Sequence, residues 1–110
     1  MVVKGRIDCG ICGHYVEVLA EAKGRGEVKL EIKSNCGNYQ KLSESLQQAD
    51  AFKELFSPLG QGEVFQLFAK TIPHPSCPGL SGILKTIEVA AGLALPQEAS
   101  INVEKIDNLV

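Results

Sequence analysis

The sequence predicts an α+β domain, with an N-terminal β-hairpin and a C-terminal strand in one antiparallel or mixed sheet that three to four helices cover on one face. Three observations predict it. Apolar and polar residues alternate in the first third of the chain, apolar residues recur at steps of three and four between residues 38 and 95, and alternation returns after Pro96. Strands, then helices, then a strand is the order of an α+β fold rather than of repeated βαβ units.

Val28, Leu30 and Ile32 alternate with Lys29, Glu31 and Lys33, and Val16, Val18 and Ala20 alternate with Glu17 and Glu21. This is the period of a strand with one wet face. Lys23-Gly24-Arg25-Gly26 between them is a glycine-containing tight turn, so the two strands form a hairpin. A short strand, Val2 to Ile7, leads into it, and the glycine-rich stretch Cys9 to Gly13 bends the chain between.

From Asn38 the period becomes helical: Tyr39, Leu42, Leu46 and Ala49 share a face while Gln40, Lys41, Glu44, Gln47 and Gln48 face water. A short segment with Phe52, Leu55 and Phe56 ends at Ser57-Pro58, because the residue before proline is pushed out of helical conformation. Glu63 to Ile72 is a further helix with Val64, Phe65, Phe68 and Ile72 on its apolar side, and the four phenylalanines supply core volume in a chain without Trp. Pro73 to Gly79 is a stiff proline-rich loop. Leu80, Ile83, Leu84, Ile87, Ala91 and Leu95 then mark a central buried helix that Pro96 stops. Ile101 and Val103, alternating with Asn102 and Glu104, give the last strand, which pairs with the hairpin.

The 110 residues fit one domain, 1–110, with a single core. Eleven Lys and Arg against thirteen Asp and Glu, with no basic block, exclude the electrostatic footprint of a nucleic-acid binder. The longest apolar run, Val89 to Leu95, is far below the roughly 20 residues of a membrane span, and Met1 to Gly10 holds no signal-peptide hydrophobic region. The expected location is therefore the cytoplasm, with no membrane partner. A reducing compartment disfavours structural disulfides, so four cysteines there point to metal ligation or thiol chemistry.

Cys9-Gly10-Ile11-Cys12-Gly13 is a C-x-x-C with glycine at both turn positions, which lets two thiolates reach one metal from a tight turn. Hairpin geometry brings a third cysteine near. If Val18 faces Leu30, Cys12 lies opposite Cys36; if it faces Ile32, His14 does, and facing Cβ atoms are about 5 Å apart. Cys77 precedes Pro78, a residue suited to the first helical position, and Cys36 also meets a helix start, where unpaired N–H groups favour a thiolate. The expected metal ligands are thus Cys9, Cys12, Cys36 and Cys77, with His74 and His14 in reserve; if His74 replaces Cys77, the set becomes three thiolates and one imidazole. Such a set suits zinc or an iron–sulfur cluster. The competing expectation is a thiol-based sulfur carrier or redox protein that uses Cys77 with Cys9 and Cys12 as a resolving pair. The plain alternative is buried cysteines with no shared role. No phosphate loop, G-x-S-x-G or His-Glu-x-x-His motif points to a hydrolytic enzyme.

Ile7 to Tyr15 resembles one half of a rubredoxin or zinc-ribbon knuckle, which implies metal binding, although the second C-x-x-C of those families is missing. Arg6 to His14 is similar to the R-x-C-G-x-C segment of the nickel–iron hydrogenase large subunit, but with one residue inserted and again no second C-x-x-C, so that likeness is set aside. Cys77-Pro78 at a helix start resembles the Cys-Pro of the TusA-like sulfur carriers, which would imply persulfide chemistry at Cys77; Leu80 stands where their second proline would be. His74 through Pro96, followed by Ile101 to Ile106, resembles a group of short, cysteine-containing, uncharacterised proteins of anaerobic bacteria and archaea, and this likeness implies no function.

Overall fold

The computed structural model describes residues 2–107. Strands β1 (Val2–Asp8), β2 (Tyr15–Ala22), β3 (Glu27–Ser34) and β4 (Gln48–Asp50) form one antiparallel sheet in chain order. Helices α1 (Gly37–Ser45), α2 (Ala51–Phe56), α3 (Glu63–Thr71) and α4 (Gly79–Ala90) complete an α+β fold. The hairpin forms as its alternation requires, with Val16, Val18, Ala20, Val28, Leu30 and Ile32 all buried. Leu42 and Leu46, Val64 and Phe68, and Ile83, Ile87 and Ala90 complete the core from the helical side. Val18 faces Ile32, which selects the second of the two expected registers.

The sheet departs from expectation at its far edge. Residues 101–106 form no strand, and Ile101 and Val103 are 77% and 90% exposed. The fourth strand lies mid-chain instead, pairing Glu27 with Asp50, Val28 with Ala49 and Lys29 with Gln48. The chain leaves α1 at the buried Leu46 and bonds at once to β3, with the Leu30 N–H donating to the Gln47 carbonyl at 2.9 Å. This segment takes the Glu27–Leu30 part of the β3 edge. Asp50 then caps α2, its Oδ1 accepting from the N–H of Phe52 (3.1 Å) and of Lys53 (3.3 Å).

Two further expectations are corrected. Only Phe68 of the four phenylalanines joins the core; Phe52 and Phe56 stack on each other, centroids 6.2 Å apart, on the exposed side of the six-residue α2. Helix α4 ends at Ala90, before Pro96. Gly92 takes φ +77° there, and the Gly92 and Leu93 N–H groups bond back to Val89 and Glu88 carbonyls, a left-handed helix terminus that glycine allows.

The packing of α4 positions the site. A Cβ at Gly82 would collide with the Ile7 side chain of β1, and a Cβ at Gly5 of β1 would collide with Thr86 of α4. The helix thus lies closer to the strand than two ordinary side chains permit. Thr86, 5% exposed, bonds its hydroxyl to the Gly82 carbonyl at 2.8 Å, so the contact leaves no polar group unpaired. No helix among the described residues is long and apolar enough to cross a membrane.

Gly82→Val should destabilise the protein by about 1–3 kcal/mol through overpacking against Ile7. Ser81→Val, next in sequence but facing solvent, should stay within about 0.5 kcal/mol. Urea unfolding followed by circular dichroism measures both.

Candidate functional site

Each cysteine reaches the site through a separate local device. The C-x-x-C closes as a tight turn: the Gly13 N–H donates to the Gly10 carbonyl (2.9 Å) and the Cys9 N–H to the His14 carbonyl (2.9 Å). Gly10 at φ +95° and Gly13 at φ +75° hold backbone conformations that a side chain would strain, which explains glycine at both places. Ile11 projects fully into solvent at the tip, Cys12 is exposed, and Cys9 is half-buried.

The β2–β3 ladder ends where Val16 faces Ser34, and side chains continue it. Asn35 Oδ1 accepts from the Tyr15 N–H at 2.9 Å, and Ser34 Oγ donates to the Tyr15 carbonyl at 2.5 Å while accepting from the Cys36 N–H at 3.0 Å. These bonds hold Cys36 beside the knuckle even though the backbone pairing has stopped. Cys36 is the N-cap of α1, its carbonyl accepting from Gln40, yet its side chain makes no capping bond and the sulfur is left for the site. Cys77 lies one residue before Pro78, which is the N-cap of α4 rather than its first helical residue.

The four cysteines line one cavity of about 130 Å³ together with His14, His74, Asn38, Tyr39 and Ile72. The sequence-predicted ligand set therefore borders a single space. All four are free thiols. Cys77 Sγ lies 3.9 Å from Cys9 Sγ and 2.7 Å from the Tyr39 hydroxyl. Yet among the described residues no three His, Cys, Asp or Glu side chains are arranged to hold a metal ion. The sulfurs surround the cavity without converging on one point.

Among the residues lining the cavity there is no Lys or Arg. Burial pushes the Cys9 thiol up to about 12, and the neighbouring Cys77, Cys12 and Cys36 push in the same direction. Burial and the Cys77 contact likewise raise Tyr39, so its hydroxyl keeps its proton at neutral pH. The metal-free site thus favours neutral Cys9. Tyr39 and Ile72 were legible only as core residues. The hint lay in Tyr39 itself, since a buried phenol requires a polar partner.

Zinc-type donor chemistry fits these residues in kind and partly in spacing. Two thiolates each about 2.3 Å from one tetrahedral ion stand about 3.8 Å apart, close to the Cys9–Cys77 separation. The other donors line the cavity wall and would have to swing inward to complete the shell.

Fold and cavity define a small α+β domain with a shared thiol-rich pocket between the sheet end and two helix starts. Over residues 3–103 the chain matches a family of unknown function, DUF6951, and it belongs to that family. No curated protein and no solved structure matches it.

The raised Cys9 fixes the sign of a pH effect in metal-free protein. A thiol whose folded pKa lies above its ordinary value of 9.0 contributes stability that is present below pH 9 and lost as pH climbs through about 12. The urea midpoint of metal-free protein should fall between pH 9 and 11, and Cys9→Ala should flatten that fall. An unchanged slope in Cys9→Ala would contradict the assignment.

Proposed function

We propose that this protein is a small metal-binding module in which Cys9, Cys12, Cys36 and Cys77 bind zinc or an iron–sulfur cluster and tie the hairpin to α4. One observation carries it: Cys9 and Cys77, 68 positions apart in the chain, stand 3.9 Å apart on a cavity that the other two thiols also border. The lack of Lys or Arg in the lining supports it further, because a bound cation supplies the positive charge that thiolates need. His74 is the reserve ligand, and the short Cys9–Cys77 separation favours Cys77 over it. Four thiolates would close the coordination shell, which suits a structural or electron-transfer role better than hydrolysis. Reduced cysteines of this number suit a cytoplasmic setting.

The Cys9–Cys77 proximity also favours a second reading, a redox or sulfur-transfer dithiol using Cys77. A nucleophilic cysteine draws on a neighbouring cation, and the lining supplies only the two histidines for that purpose.

Metal analysis and visible absorption of anaerobically purified protein separate the readings. Stoichiometric zinc or iron, lost in Cys36→Ser and in Cys77→Ser, is the expected result. Neither metal, with four thiols titrating freely, would falsify the proposal, and one thiol alkylated far faster than the rest would favour the dithiol. Saturation should also stabilise the fold: zinc at about 1,000 times its Kd adds roughly 4 kcal/mol, removable with a chelator.

A further inference from the structure

We propose that Tyr39 donates a hydrogen bond to the metal-bound Cys77 sulfur, and that Gly79 leaves the space this bond needs. The inference rests on the metal-binding reading above and assigns the site a residue that tunes it without touching the metal.

Tyr39 is 2% exposed on α1, its ring packed against Phe68 with centroids 6.3 Å apart. A phenol buried so deeply must satisfy its hydroxyl, and the partner is Cys77 Sγ at 2.7 Å. In the neutral pair either group can donate. A thiolate has no proton, so once Cys77 binds metal the donor is Tyr39.

Gly79 makes the arrangement possible. A Cβ there would collide with the Tyr39 hydroxyl oxygen and with the ring carbons beside it. Gly79 is the first residue of α4 and lies two residues after Cys77. The same helix start therefore presents the sulfur and shapes the recess for the phenol. A donor aimed at a ligating sulfur withdraws electron density from it, which steadies the thiolate form and lowers the energy of the sulfur electrons.

Cobalt(II) is the probe, because its sulfur-to-metal charge-transfer band reports on the ligating thiolates. Wild type, Tyr39→Phe and Gly79→Ala are each titrated with cobalt(II) against a competing chelator, after circular dichroism of the metal-free chains. Wild type should bind one cobalt per chain. Tyr39→Phe keeps the ring and loses only the hydroxyl, so it should bind the same amount with about 10- to 100-fold weaker affinity. Its charge-transfer band should move to longer wavelength, a change that a merely space-filling Tyr39 would not cause. Gly79→Ala, which displaces the hydroxyl rather than removing it, should shift affinity and band the same way and serves if Tyr39→Phe folds poorly. Wild-type affinity and an unmoved band in either folded variant would overturn the role of Tyr39 while leaving the metal site standing. Failure of wild type to bind cobalt would overturn both.

Discussion

The close approach of α4 to β1 and α1 is the constraint that the site cannot do without. Three glycines make it: Gly5 and Gly82 let strand and helix meet without intervening side chains, and Gly79 lets the helix start close over Tyr39. Gly79, Gly82 and Thr86 recur at helical spacing along α4, so one face of one helix touches both the strand and the phenol. The end of β1 delivers Cys9 and the start of α4 follows Cys77, so the packing that seats the helix also brings two sulfurs 68 positions apart to 3.9 Å.

Much of this was legible in the chain, and the parts that were not have physical reasons. The hairpin could be read because Val16, Val18, Ala20, Val28, Leu30 and Ile32 alternate without interruption, though register needs the structure to choose between Leu30 and Ile32 as the partner of Val18. Gln48–Asp50 was hidden because three residues are too few to display a period, and Ala49 also extends the α1 spacing. Ile101 and Val103 mislead in the opposite sense: they alternate with polar residues as a strand does, yet they are exposed and pair with no strand, so alternation alone does not make one. The end of α4 was misplaced because Pro96 is the louder signal, whereas Gly92 ends the helix by its left-handed conformation.

The candidate site shows the same division. Cysteine chemistry singles out Cys9, Cys12, Cys36 and Cys77, and hairpin spacing sets Cys36 near the knuckle; that Cys77 and both histidines line the same cavity comes from the fold. What composition does not carry is aim. The sulfurs border a common space, yet among the described residues no three potential ligands are arranged to hold an ion. Nor does sequence spacing distinguish Tyr39 as a core residue from Tyr39 as the partner of Cys77, because both require the same position on the buried face of α1.

A metal bound here would have a specific physical role. It would supply positive charge to a thiol-rich pocket whose walls contain no Lys or Arg, and pull donors from three parts of the chain onto one centre. X-ray absorption at the metal edge of anaerobically purified protein tests that role without an intermediary. The expected spectrum shows a first shell of sulfur at about 2.3 Å, four sulfurs or three with one nitrogen. A shell dominated by oxygen and nitrogen, or no protein-bound metal at all, would contradict it.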